Sequence, residues 1–212
     1  MENSETSGNK SDRGRSSIDA KRASEALRRR LRHRLACQQA LHDPVREPRN
    51  NASRLPELRR WQMRRLADSF APLLEDARTR GVAEFFLSDL YGDRDFSGRD
   101  RDLARVLPLM MRLLPEPLIA TVADAIALAA LSHALDLRMA EALVALLPAD
   151  TPIDTDSYAK AYRTVGMPRL RRAQIVLIGR LGHGLDAAVH KPALGRSVAH
   201  LVTVAGARGR AR

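Results

Sequence analysis

The densest run of chemically capable side chains extends from Phe85 to Leu103, FFLSDLYGDRDFSGRDRDL. Aspartates and arginines crowd between two apolar segments there. Asp93, Asp95, Ser97 and Gly98 match the first half of a calcium-binding EF-hand loop, with helical text on either side. The second half departs from that pattern. The place of the closing bidentate glutamate is taken by Ala104, and Arg99 and Arg101 would repel a cation. Two other readings stand. In the simpler one the stretch is structural: Asp93, Asp95 and Ser97 cap helix ends, and Arg94, Arg99 and Arg101 pair with Asp89, Asp100 and Asp102. In the other, Asp89, Tyr91, Asp95, Arg99 and Asp100 form part of a polar pocket for a small ligand or a partner. Tyr158, Tyr162 and Arg163, on a later helix, are candidates for the same pocket.

His133 and Asp136 stand three residues apart in apolar helical text, with Glu141 within reach. A metal site inside a bundle needs more, such as the Glu-x-x-His pairs of di-iron proteins, and no Glu-x-x-His occurs. A satisfied polar cluster, with His133 bonded to Asp136 or to a neighbouring helix, accounts for these residues, and no metal is expected. Gly179, Gly182 and Gly184 spell a Gly-x-x-Gly-x-Gly without a preceding strand, so a helix break or close helix packing explains them better than a nucleotide. No phosphate-cradling loop ending in Gly-Lys-Ser/Thr and no Gly-x-Ser-x-Gly elbow is present. Nothing commits the chain to being an enzyme; no catalytic residue is assigned and no cofactor is expected.

Positive charge is the other handle. The net charge is +11, and residues 1–65 supply 17 basic against 8 acidic side chains. Arg28, Arg29, Arg30, Arg32 and Arg34 sit opposite a stripe of Leu27, Leu31 and Leu35. Such a face suits an acidic partner, a phosphate backbone or an anionic membrane. The stripe lacks Trp or Phe to anchor in lipid, and no aromatic residues interleave with the arginines as in single-strand binders. Cys37, the single cysteine, excludes an intramolecular disulfide and fits a reducing compartment.

The elements that must position these groups are helical. Ala, Leu and Arg dominate, aromatics make up 4% and runs of β-branched residues are scarce. The pattern predicts a tail over 1–17, a basic helix and linker over 18–54, an all-α multi-helix bundle over 55–205 and a basic tail over 206–212. The N-terminal arm is expected to be partly disordered. The first helix should begin near the cap Asp19 and end near His42. The second, from about Pro56, should bury Leu66, Phe70, Leu73 and Ala77, with a kink or split at Pro72 and an end at Gly81. Helices over 82–91 and from Ser97 to Leu114 should flank the Asp/Arg loop. A long central helix over about 117–147 is the core of the bundle. Its most apolar part, Ile119 to Leu135, is rich in alanine and holds Asp124 and His133, so it reads as a core helix and no transmembrane segment is expected. Helices over about 156–165 and 168–190, and one after Pro192, complete the bundle.

Several of these segments together resemble a family of uncharacterised helical proteins of Gram-negative bacteria. The similar features are the paired Phe85 and Phe86, Leu90-Tyr91-Gly92, and the Asp-Phe-Ser-x-Arg-Asp of 95–100. Tyr158-Ala-Lys-Ala-Tyr162-Arg163, Gln174-Ile175 and Val189-His190-Lys191-Pro192 look like the same family. The resemblance spans about 55–192; the arm before Asn50 lies outside it, and Ala205 to Arg212 is unlike it. It implies an all-α cytoplasmic protein and carries over no activity. The expectation is a non-enzymatic interaction protein of the bacterial cytoplasm, engaging a protein partner or a second copy of itself. The alternatives are nucleic-acid binding through the arginine helix, or a small-ligand or enzymatic module using the loop at 89–102.

Overall fold

A computed structural model describes residues 8–77, 80, 84, 107–112 and 114–189. They contain no strand, and the chain is an all-α bundle. Helix α1 spans Gly8–His42, followed by a 3₁₀ turn at Pro48–Asn51. Helix α2 spans Leu55–Glu75, α3 Glu116–Leu146, α4 Thr155–Val165 and α5 Pro168–Val189. Residues 107–112 are also helical. Of the two helices predicted to flank the loop at 89–102, only residues 84 and 107–112 are described as helical; the loop itself falls outside the described residues, as do the chain's ends.

The observed bounds of α3, α4 and α5 lie close to the predicted ones, because caps and prolines mark them. Asp154 accepts from the Ser157 amide at 2.8 Å, and Ser157 Oγ accepts from the Asp154 amide at 3.0 Å. This reciprocal capping box starts α4. Gly166, at φ 62°, stops it in a conformation that costs a side chain dearly. Helix α1 begins earlier than Asp19, at Gly8. Once a helix is nucleated each further residue adds a hydrogen bond, so the polar start is carried along.

Contacts divide the chain into two compact units. One holds residues 38–101 and 128–175. Its core joins Leu55 and Leu58 of α2, Leu137, Met139, Ala140 and Leu143 of α3, Ile153, and Ala161 of α4. Burying each of the Leu, Ile and Met side chains contributes roughly 1.5–3 kcal/mol. Arg54, itself buried, binds Glu57 at 2.5 Å and also donates to the Pro148 carbonyl. Glu57 in turn accepts from the Ile153 amide at 2.9 Å. The start of α2 is thereby pinned to the segment that follows α3. Burial alone would raise the Glu57 pKa, but Arg54 and the Ile153 amide outweigh it and hold the carboxyl below its usual range. This anchoring corrects the buried stripe expected of α2. Leu55 and Leu58 are its buried residues, whereas Leu73 and Ala77 are exposed and Leu66 and Phe70 only half-buried. Nor does Pro72 split α2, which continues to Glu75 and stops there, short of Gly81.

The other unit holds residues 1–37, 102–127 and 176–212. Leu31 and Leu35 of α1 pack with Leu107 and with Ile119, Ala123 and Ile126 of α3. The leucine stripe of α1 is thus a buried seam. Arg34 donates to Asp124 at 2.8 Å and to the Ala123 carbonyl at 2.7 Å, fastening the same two helices. Helix α3 supplies residues to both cores, the role expected of the long helix. By length and composition alone it could also cross a membrane, a test that the core helix of a bundle passes too.

Gly184 shows which account of the glycine run holds. A Cβ there would lie 2.4 Å from Thr121 Oγ1 and 2.9 Å from its Cγ2, so α5 meets α3 where only hydrogen fits. The Thr121 hydroxyl donates to the Pro117 carbonyl at 3.0 Å, which holds that side chain in place. Gly179 and Gly182 face open space, and α5 runs through all three without a break. Gly184→Ala is expected to destabilise the protein by about 1–3 kcal/mol. Thermal unfolding of the single variant and of the pair with Thr121→Ala checks this: the pair should recover part of the loss. An unchanged midpoint in the single variant would contradict the close contact.

Candidate functional site

The titratable groups of α3 are the first place to look for chemistry, and the structure engages them internally. His133 is 5% exposed. Its Nδ1 lies 3.0 Å from a guanidinium nitrogen of Arg59 on α2, and its Nε2 lies 2.8 Å from Asn50 Oδ1 in the 3₁₀ turn. A guanidinium can only donate, so Nδ1 accepts and the ring proton sits on Nε2, donating to Asn50. The Asn50 amide is oriented by its own donors, which reach the Leu41 and Glu47 carbonyls at 2.9 Å each. The His42 ring stacks on His133 with centroids 4.1 Å apart and planes 12° off parallel. Burial, with His42 and Arg59 beside the ring, pushes the His133 pKa down to about 3. His133 is therefore a neutral, doubly bonded fastener between α1, the 3₁₀ turn, α2 and α3.

Asp136 does not bond His133. Its Oδ1 accepts from Gln62 on α2 at 3.0 Å, and burial raises its pKa against the pull of Gln62, Arg59 and Arg171. Glu141 lies apart from both; it is half-exposed, 3.8 Å from Arg49. The histidine finds its partners on neighbouring segments, as one of the two sequence readings had it.

The pocket residues predicted on α4 divide between two surroundings. Tyr158 packs against the core of its unit and stacks on Trp61, centroids 4.3 Å apart, with the Arg65 guanidinium within 6 Å of both rings. Tyr162 and Arg163 face outward instead. They line a cleft of about 370 Å³ with Gly166, Arg171, Arg172 and Ile175, at the corner where α4 turns into α5. The Arg171 guanidinium lies over the Tyr162 ring at 4.3 Å. Asp89, Tyr91, Asp95, Arg99 and Asp100, the predicted partners from the loop, lie outside the described residues. Sequence reasoning missed Arg171 and Arg172. The signal was available: Pro168-Arg-Leu-Arg-Arg puts three arginines at a helix start with no acid in the first turn, where the helix dipole is positive.

Arg28, Arg29, Arg30 and Arg32 of α1 are exposed and make no ion pair among the described residues. Arg34 departs from that set, since Asp124 already holds it. Cys37 is exposed on the same helix as a free thiol, its sulfur 3.6 Å from the His33 ring.

With this geometry in place, comparison with known proteins gives one result. A family model described as a domain of unknown function (DUF8198) matches residues 41–210, and the chain belongs to that family. No curated protein and no solved structure matches the chain. The match contains the α4–α5 cleft and begins after the exposed arginines of α1.

The His133 network predicts an acid-labile fold. The unfolded chain takes up a proton on this side chain near its ordinary pKa of 6.5, whereas the folded chain resists until about pH 3. The contribution of His133 is thus complete above pH 6.5 and falls through that window by about 1.4 kcal/mol per pH unit, while the raised pKa of Asp136 acts in the opposite direction. Below about pH 4.5 the depressed carboxyls of Glu47, Glu57 and Asp154 add to the loss. Urea unfolding from pH 7 to 5 measures the slope. His133→Gln should start less stable but lose about one proton's worth of that slope; an identical slope would contradict the assignment.

Proposed function

We propose that this chain is a non-enzymatic binding protein of the bacterial cytoplasm that docks an acidic protein partner along the exposed face of α1. One observation carries the reading. Arg28, Arg29, Arg30 and Arg32 are exposed and have no carboxylate partner among the described residues, on a helix whose other face is fastened into a core by Leu31 and Leu35. A rigid helix presenting unpaired guanidiniums attracts and orients an acidic surface. The body supports the same reading. His133 has both ring nitrogens bonded and Asp136 is held by Gln62, which leaves these groups serving the fold. An exposed thiol at Cys37 suits a reducing compartment.

Nucleic-acid binding is the second reading, because the same guanidiniums suit phosphates. The described face of α1 carries no Phe, Tyr or Trp on which a base could stack, only the His33 ring, and this favours the protein partner.

Fluorescence anisotropy of the full chain with a labelled polyglutamate peptide and with a labelled DNA duplex separates the two. The peptide should bind, and Arg28→Ala/Arg29→Ala/Arg32→Ala should weaken it about tenfold or more. A duplex that binds far better than the peptide, with affinity falling by about 0.9 log unit per log salt for each phosphate contacted, would transfer the function to nucleic acid. Peptide binding that ignores the triple substitution would overturn the reading.

A further inference from the structure

The cleft between α4 and α5 has features that the α1 reading leaves unused. Arg163, Arg171 and Arg172 line one small cavity, and among the described residues none of them forms a direct ion pair with a carboxylate, although the buried carboxyl of Asp136 feels the charge of Arg171. Their placement is electrostatically costly. Arg171 and Arg172 lie just after the N-terminus of α5, where unsatisfied amides and the helix dipole are already positive, and the first turn has no acid to offset them. The residue before that helix is Met167, which has no oxygen to cap it and sits at φ 58°, an unusual conformation for a residue with a side chain. The contrast with the Asp154 capping box of α4 shows what an oxygen acceptor does at such an end.

Arg171 is the most telling group. Its Nε and Nη2 atoms are buried and meet no hydrogen-bond partner. These two atoms form the edge that grips an oxyanion bidentately, as Arg49 grips Glu47 at 2.7 and 2.6 Å in this same protein. An orphaned buried guanidinium edge is expensive, and a supplied acceptor removes that cost. Tyr162 stacks under the guanidinium, and Ile175, 69% exposed, offers an apolar flank.

We propose that the α4–α5 corner is an oxyanion site, which takes the phosphate or carboxylate group of a small organic anion. Arg171 supplies the bidentate edge, and Arg163 and Arg172 supply the surrounding positive charge. Tyr162 and Ile175 contact the body of the ligand. The site is independent of the α1 face, so either can fail without the other.

Isothermal titration of the full chain with inorganic phosphate, phenyl phosphate and sodium benzoate, at constant ionic strength set by sodium chloride, tests it. Saturable binding is expected, tighter for phenyl phosphate than for inorganic phosphate because of the apolar flank. Arg172→Gln and Arg163→Gln change exposed positions and should keep the fold; each should weaken binding about fivefold or more. Arg171→Lys keeps the charge and loses the fork, and should weaken binding at least as much. Phenyl phosphate preferred to benzoate identifies a phosphate ligand, and the reverse identifies a carboxylate; both support the site. No saturable binding of any of the three anions, or binding unchanged in both exposed variants, would overturn the proposal. Binding lost instead in Arg28→Ala/Arg29→Ala/Arg32→Ala would assign the anion to α1 and overturn it as well.

Discussion

A buried polar group must find a partner inside the protein, and α3 brings several into an apolar interior. The helix carries Leu135, Leu137, Met139 and Leu143, all essentially inaccessible to water, and beside them His133 and Asp136. Leaving either unsatisfied would cost about 1–3 kcal/mol or more. Asn50, Arg59 and Gln62 meet that demand. The irregular segment between α1 and α2 thus has a definite job. Its 3₁₀ turn holds Asn50 between the Leu41 and Glu47 carbonyls and the His133 ring. Apolar contact stabilises this unit without direction; the polar layer fixes which residues face one another.

The same accounting moves function outward. A histidine bonded at both nitrogens is not free to shuttle protons at neutral pH. The tyrosine nearest the core, Tyr158, stacks on Trp61. Among the described residues, two groups of arginines stand open: the face of α1 in one unit and the α4–α5 corner in the other. The exposed arginines of both form no ion pair among the described residues, although Asp124, Glu47 and Glu57 show that such pairs form readily elsewhere in the protein.

Much of the architecture was legible in the sequence because local signals mark it. Asp154, Ser157, Gly166 and Pro168 bracket α4 and open α5 within a residue or so of the predicted bounds. The leucine stripe of α1 and the apolar run of α3 gave their buried faces by spacing. Long-range pairings were not legible. Nothing local ties Arg34 to Asp124, Arg54 to Pro148 or His133 to Asn50, since these partners are brought together only by the packing of distant segments. That is why Arg34 read as part of the basic face, and why the buried stripe of α2 was placed too far along the helix. The cleft was half legible: Tyr162 and Arg163 were candidates, but Arg171 joins them only through the turn at Gly166 and Met167.

The most direct test of this account is the protonation of His133, read from the imidazole nitrogen shifts of the labelled full chain by NMR between pH 8 and 5. The account predicts a neutral ring with the proton on Nε2 throughout that range, with no titration step. A ring that titrates near pH 6.5, or carries its proton on Nδ1, would contradict the fastening of α3 by Arg59 and Asn50. It would also return to His133 the freedom to do acid–base chemistry, and the body would no longer support the non-enzymatic reading.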